Sequence, residues 1–281
     1  MIDRKREIEI LRRLIERHKV VGIIGARQVG KTTLARMLLT QTQTPFFYFD
    51  LENPEDLARL TDPMLALKSL NGLVVIDEVQ RLPGIFQILR VLVKPSRCKD
   101  KVSCAGQRLY RFIAPKRRDP CCRIFYHELG GFAVDEIGSR NHKRLWFRGG
   151  FPPSYTARSH SESHEWRLGF VRTFLERDLP VLGIKILSST LRRFWTMLAH
   201  YHGQIWNASE FARSFGVADS TVRHYLDLLS AALVVRQLQP WFENIKKRQV
   251  KSPKIYLVDS GLLHTLLNVR TPTDLEGHPK I

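Results

Sequence analysis

The first half of the chain alternates short apolar runs with amphipathic segments, which is the pattern of an α/β fold. The apolar runs predict strands at 18–24, 46–51 and 73–78. Apolar residues spaced three or four positions apart predict helices at 1–17, 33–39, 53–68 and 83–93. Strands that alternate with helices predict a doubly wound parallel sheet.

From about residue 139 the pattern is mostly helical, with segments at 166–178, 190–202 and 209–229. Within the third segment, the small residue Ala212 and the turn-permitting Gly216 are typical of a helix-turn-helix. Residues 233–241 then alternate like a strand of a wing. We therefore predict two domains. The first is a P-loop α/β domain at 1–138, and the second is a mostly helical domain at 139–281 with a winged helix at about 190–242.

Residues 25–32 read Gly-Ala-Arg-Gln-Val-Gly-Lys-Thr and match the phosphate-binding pattern G-x-x-x-x-G-K-[ST] at every fixed position. A predicted strand precedes this loop and a predicted helix follows it, which is the context that the pattern requires. We expect Lys31 to reach the β- and γ-phosphates of ATP and Thr32 to bind Mg²⁺. The predicted nucleotide-binding residues are Gly25, Ala26, Arg27, Gln28, Val29, Gly30, Lys31, Thr32 and Thr33.

Four apolar residues at 73–76 are followed directly by Asp77 and Glu78. Such a run is typical of a central parallel strand, buried on both faces. Ligands of open α/β sheets lie at the carboxyl ends of strands, so we assign Asp77 to Mg²⁺. Glu78 is the candidate base that orients an attacking water. The acid pair favours an ATPase over a small-molecule kinase, which needs no such base.

The formal net charge of +18 indicates an anionic partner such as DNA, although an ordinary solvated basic surface is the alternative. Residues 94–123 hold ten Lys or Arg and two Asp, or +8, which leaves 18 − 8 = +10 for the rest. In the helix-turn-helix, we expect the candidate DNA contacts to face outward. The alternative is a winged helix that is structural or binds protein. The candidate DNA contacts are Ser220, Thr221, Arg223 and His224.

No apolar stretch approaches the roughly 18 residues that a membrane span needs, and no signal peptide is evident. The sequence therefore predicts a cytoplasmic protein without a membrane partner. His200 and His202 lack a Cys or an acid at metal-ligand spacing, so we interpret them as helix-end residues.

Several segments together resemble the bacterial and archaeal ATPases of the AAA+ superfamily that join a P-loop domain to a C-terminal domain of unknown function. The resemblance implies that the chain binds ATP, is expected to hydrolyse it, and has a winged helix in its second half. It also suggests a homo-oligomer with an arginine finger, for which Arg123 and Arg148 are candidates. The matching segments are 25–34, 48–52, 76–81, 148–152, 173–179, 251–256 and 259–263.

The chain departs from this family at two places. Relatives continue well past a segment like Gly277–Lys280, so the second domain is expected to be truncated. The family's next strand should follow the helix that ends near Val93, but 97–122 is rich in arginine and holds all four cysteines. The spacing of these cysteines does not suit a zinc site, and a disulfide does not suit the cytoplasm.

We interpret 97–122 as a reading-frame disruption, with a genuine insertion as the alternative. Residues 104–122 read one base later can encode an apolar strand end, a polar turn and a helix. Loss of that strand predicts low local order and impaired hydrolysis, with Phe112 and Ile113 as the substitutes for the strand. Three functions then stay open: a Mg²⁺-dependent ATPase of the AAA+ type, a nucleotide-gated DNA-binding protein with incidental hydrolysis, and a hydrolysis-impaired remnant.

Overall fold

A computed structural model gives the positions of residues 2–92, 124–181, 186–241 and 252–278, and the backbone of residues 101–105. The chain divides into two compact units, Met1–Gly130 and Gly131–Ile281. The division lies eight residues before the boundary at 138 that was predicted from the sequence.

The first unit is built on a five-stranded, all-parallel sheet with the order β2-β3-β4-β1-β5. The doubly wound parallel fold predicted from the sequence is therefore confirmed. Its strands are β1 Val20–Ile24, β2 Phe46–Asp50, β3 Leu73–Asp77, β4 Lys101–Ala105 and β5 Phe125–Glu128.

The expectation that the strand after the helix at 83–93 is lost is wrong. Lys101–Ala105 forms β4 in the middle of the sheet, where Val102 pairs with Val20 of β1 and Val74 of β3. Ladders on both sides satisfy the backbone groups of this strand whatever its side chains are, which is why an unusual sequence still forms it. Residues 106–123, which include Phe112, Ile113 and most of the proposed frame disruption, lie outside the described residues.

Within the described part of the first unit, five helices cover the two faces of this sheet. The predicted helix at 53–68 is two helices, because Pro63 begins a new helix behind the N-cap Asp62. The helices of the first unit are α1 Lys5–Arg17, α2 Lys31–Thr40, α3 Pro54–Arg59, α4 Pro63–Lys68 and α5 Ile85–Leu92.

Alternate residues of β1 and β3 enter different cores. Val21 and Ile23 of β1 pack with Leu34 of α2, in a cluster that also holds Ile8 and Leu11 of α1. The other face of the sheet packs against α3, α4 and α5, through Val20, Val74, Ile76 and their neighbours. Both faces are thus buried, which explains why β3 has apolar residues at four consecutive positions.

The second unit is mostly helical, with one antiparallel pair of strands, β6 Val235–Leu238 and β7 Lys254–Leu257. Phe194 has no exposed surface and packs edge-on against Phe211 and Tyr225, so it joins three helices. The helices of this unit are α6 Val134–Ile137, α7 His142–Arg148, α8 Pro152–Thr156, α9 His160–Thr173, α10 Leu179–Val181, α11 Ser188–His200, α12 Ala208–Phe215, α13 Asp219–Ala231, α14 Ser260–Leu266 and α15 Pro272–Glu276. A π-helical turn at Phe174–Asp178 continues α9.

The segments at 148–152 and 259–263, which are far apart in sequence, meet in one buried junction. The Asp259 carboxylate accepts hydrogen bonds from Gly150 N at 2.7 Å and from Leu262 N at 2.8 Å. A Cβ on Gly149 would lie 2.2 Å from Asp259 Oδ1, and a Cβ on Gly261 would lie 2.2 Å from Arg148 O. The glycines are therefore required by close packing, and Gly149 also has a φ of +79°.

Within the described residues, no helix is both long and apolar enough to cross a membrane. The same part of the chain contains no group of three or more His, Cys, Asp or Glu side chains that could hold a metal ion. Cys98, Cys121, Cys122 and the side chain of Cys104 lie outside it. His202 has a structural contact, since its Nδ1 accepts a hydrogen bond from Leu257 N at 3.1 Å.

Candidate active site

The glycine-rich loop at 25–30 joins the end of β1 to the start of α2. Gly30 is the N-cap of α2 and has a φ of 97°, a backbone conformation that few residues other than glycine adopt. Gln28 also has a positive φ, of 59°. Gly25 is needed for a different reason, because a Cβ there would lie 2.6 Å from Leu129 O. The loop backbone therefore has glycine-dependent conformations and leads directly into the N-terminus of α2, and a helix N-terminus is a favoured place for an anion.

Lys31 lies under this loop and is only 6% exposed. Its ammonium group donates to Gly25 O at 3.1 Å and to Ala26 O at 2.9 Å. Burial lowers the pKa of Lys31 to about 8, while the nearby carboxylates of Glu78 and Asp77 act in the opposite direction. The influence of both carboxylates on the buried ammonium indicates that the glycine-rich loop and the acid pair lie near each other.

Asp77 is the last residue of β3 and is 2% exposed. Its Oδ1 accepts a hydrogen bond from Glu78 N at 2.9 Å, and its Oδ2 accepts one from the Tyr48 hydroxyl at 2.8 Å. Burial and the bond to Asp77 raise the pKa of Tyr48, so its phenol stays protonated and donates. The carboxylate is thus held in place by a donor on each oxygen.

Glu78 follows in a left-handed backbone conformation, with a φ of 50° and a ψ of 40°. A residue other than glycine in this region is uncommon and is found disproportionately at functional sites. The side-chain amide of Gln80 donates to Glu78 Oε2. Burial raises the pKa of Glu78, which makes its carboxylate a better proton acceptor than an exposed one.

The donor set fits a magnesium ion. Carboxylate and hydroxyl oxygens are the ligands that Mg²⁺ prefers, and each carboxylate oxygen of Asp77 has a lone pair beyond its one hydrogen bond. Thr32, in the first turn of α2, is half-buried and would supply the hydroxyl. Thr33 and Gln28 are exposed, whereas Ala26 and Val29 are buried.

Sequence reasoning missed two residues of this site. Tyr48 belongs to a strand adjacent to β3, and nothing in its own sequence context marks it as a partner of Asp77. Gln80 lies two residues after Glu78, close enough to have been considered as its partner.

Arg148, a candidate arginine finger, is 5% exposed and donates through Nη1 to Tyr155 O at 3.3 Å. Arg123 lies outside the described residues.

The predicted DNA contacts lie together at the start of α13. Ser220, Arg223 and His224 are exposed, and Thr221 is half-buried. The predicted inward residues Val222 and Leu226 are buried, at 0% and 2% exposure. Gly216 ends α12 in the left-handed conformation, with a φ of 65°, as the predicted turn requires.

The parallel sheet, the glycine-rich loop before a helix and the acid pair at the end of β3 together define a P-loop ATPase fold. Residues 17–137 match the sequence model described as AAA domain, and residues 139–273 match the one described as Domain of unknown function (DUF8612). These matches support an AAA+ P-loop ATPase domain followed by a C-terminal domain of unknown function. The first unit of the chain is an ATPase-type nucleotide-binding domain.

The whole chain is similar to proteins of known sequence and structure. It is 50% identical over 281 residues to proteins of Mycobacterium tuberculosis and Mycobacterium bovis, both named only as uncharacterized. The match covers 100% of this chain and 63% of each relative. In structure it is similar to a Walker-type ATPase of Pyrococcus abyssi, with a TM-score of 0.65, 14% identity, and coverage of 95% of this chain and 96% of that one. At this identity the structural likeness shows the fold alone.

Proposed function

We propose that the first unit binds ATP with Mg²⁺ and hydrolyses it. The observation that carries this proposal is that the buried Lys31 ammonium donates to Gly25 O and Ala26 O of the glycine-rich loop and is influenced by the carboxylates of Glu78 and Asp77. A nucleotide needs this combination, because loop N–H groups and Lys31 face its phosphates while a carboxylate faces its metal.

Each residue then has a role in the reaction. Lys31 neutralises charge on the β- and γ-phosphates. Thr32 and Asp77 would hold Mg²⁺, which supplies charge neutralisation on the phosphate oxygens when bound. Glu78 orients the attacking water and accepts its proton, a role that suits a half-buried carboxylate with a raised pKa. Gln80 fixes the carboxylate of Glu78 through its amide.

The test measures phosphate release from Mg·ATP by the purified chain and by Glu78→Gln. This variant keeps the shape of the side chain but cannot accept a proton, so we expect turnover to fall by about 10²- to 10⁴-fold with nucleotide binding retained. Glu16→Gln, an exposed glutamate of α1, is the matched control and should turn over normally. Release at the wild-type rate by Glu78→Gln, or none by the wild type, would contradict the proposal.

A second candidate function is DNA binding by the second unit, gated by nucleotide. It is favoured by the element order α12, turn, α13 and a β6–β7 pair, which is that of a winged helix. The exposed Ser220, Arg223 and His224 lie in the first two turns of α13, where helix-turn-helix proteins contact base edges.

The corresponding experiment is fluorescence anisotropy of a labelled duplex DNA over a range of salt concentrations. We expect Arg223→Ala to weaken binding and to change its salt dependence, whereas Arg172→Ala, an exposed arginine of α9, should leave both unchanged. If binding in the Glu78→Gln background still responds to ATP, nucleotide-gated binding is the function and turnover is incidental. Equal affinities for wild type and Arg223→Ala would argue against this surface.

A further inference from the structure

Tyr48 connects an edge strand of the sheet to the acid that ends the neighbouring strand. β2 and β3 are parallel, and their register places Tyr48 opposite Val75 and Asp50 opposite Asp77. The Tyr48 side chain nevertheless reaches Asp77, because a tyrosine ring is long enough to span to the carboxyl end of the neighbouring strand. Its hydroxyl donates to Asp77 Oδ2 at 2.8 Å.

The ring of Tyr48 is itself fixed by the helix that follows the phosphate-binding loop. It packs on a core cluster that includes Ala35 and Leu39 of α2 and Val75 of β3. The guanidinium of Arg36, also in α2, lies 5.4 Å from the centre of the ring. The hydroxyl is therefore presented to Asp77 by a ring that α2 holds in place, and α2 begins with Lys31 and Thr32.

We propose that Tyr48 is a positioning residue that orients the Asp77 carboxylate for a divalent cation. The proposal rests on the assignment of Asp77 to Mg²⁺ in the proposed function. A hydroxyl that donates to a carboxylate in a buried site makes a strong, directional bond. It uses one lone pair of Oδ2 and leaves the other for the cation or its water, so the carboxylate meets the cation in one fixed orientation.

The competing explanation is that Asp77 only satisfies a buried tyrosine hydroxyl, with no consequence for metal binding. The two explanations differ in what the hydroxyl does to the coupling between Mg²⁺ and nucleotide. A positioning role requires the coupling to fall when the hydroxyl is removed, whereas a purely structural role changes affinities with and without Mg²⁺ alike.

The experiment is calorimetric titration of ADP into the full chain, with Mg²⁺ and with EDTA, which needs no turnover. We expect Tyr48→Phe to reduce the Mg²⁺-dependent gain in ADP affinity by about tenfold, in line with one lost hydrogen bond to a charged group. Its affinity in EDTA should stay within about twofold of the wild type. Tyr126→Phe removes a hydroxyl from β5, at the opposite edge of the same sheet, and should change neither value.

A double-mutant cycle guards against a general loss of structure. Asp77→Asn should abolish most of the Mg²⁺ effect, and adding Tyr48→Phe to it should cause no further loss, because the two groups act as a unit. An unchanged Mg²⁺ effect in Tyr48→Phe, an equal loss with and without Mg²⁺, or additive effects in the double variant would each overturn the proposal. Absence of ADP binding by the wild type would overturn the proposed function as well, and ADP binding without any Mg²⁺ effect would overturn the assignment of Asp77 and this role together.

Discussion

Asp259 stabilises the second unit through two backbone groups, and its replacement has a calculable cost. The carboxylate is 8% exposed and caps α14 through Leu262 N, while its other oxygen accepts from Gly150 N. Asp259→Ala removes both acceptors. The close approach of Gly149, where a Cβ would lie 2.2 Å from Oδ1, indicates that the surrounding backbone is tightly packed.

The magnitude follows from the two lost contacts. Removing an N-cap costs about 0.5–2 kcal/mol, and leaving the buried Gly150 N–H without a partner costs about 1–3 kcal/mol. Asp259→Ala should therefore destabilise the second unit by roughly 1.5–5 kcal/mol. Asp259→Asn keeps an oxygen for the cap but places its NH₂ group, a donor, against the Gly150 N–H. That N–H then has no acceptor, so the variant should lose about 1–3 kcal/mol of unfolding free energy.

Urea unfolding of the wild type and the two variants measures these values. Ser159→Ala is the matched control, because Ser159 caps α9 of the same unit from an exposed position and should cost about 1 kcal/mol. If Asp259→Ala were no more destabilising than Ser159→Ala, the contact with Gly150 would contribute nothing and the reasoning would be refuted.

Two further predictions concern a buried histidine and the glycine-rich loop. Burial lowers the pKa of His264 to about 4. Below about pH 6.5, the unfolded chain therefore binds a proton at this histidine that the folded unit excludes. The free energy of unfolding consequently falls as the pH drops from 6.5 toward 4. His264→Asn, which keeps a donor for Phe147 O, should reduce the loss of unfolding free energy between pH 7 and pH 5 by about 2 kcal/mol, and an unchanged loss would show that the histidine is not responsible. Gly25→Ala places a Cβ 2.6 Å from the backbone at Leu129 O and should destabilise the first unit by about 1–3 kcal/mol in thermal unfolding, whereas Gly84→Ala, with nothing within 4 Å, should cost little.

The parts of the fold and site that could be predicted from the sequence depend on residues close together in the chain. The loop at 25–32, the strand before it and the acid at the end of β3 are local patterns; the structure has the loop between β1 and α2 and has Asp77 as the last residue of β3. The division of the predicted helix 53–68 at Pro63 could also have been predicted, because Asp62-Pro63 is an N-cap followed by a proline at the first helical position.

The parts that could not be predicted depend on pairing across the fold. The contact of Tyr48 with Asp77 joins residues 29 positions apart, and that of Gly150 with Asp259 joins residues 109 positions apart. Only the sheet order and the helix packing bring these residues together. Strand β4 was not predicted because its sequence resembles that of a surface segment. Its position between β1 and β3, which the sequence does not reveal, gives its backbone a hydrogen-bonding partner on both sides.

The most direct test of the nucleotide site is equilibrium binding of a fluorescent ATP analogue to the wild type and to Lys31→Met. Methionine keeps the volume of the buried stem but removes the charge, and thermal unfolding of both proteins confirms that the fold is intact. We predict saturable binding by the wild type and an affinity at least about tenfold lower for Lys31→Met, since a hydrogen bond to a charged group contributes about 1.5–3 kcal/mol. Equal affinities, or no binding by the wild type, would contradict the assignment of residues 25–32 to a nucleotide.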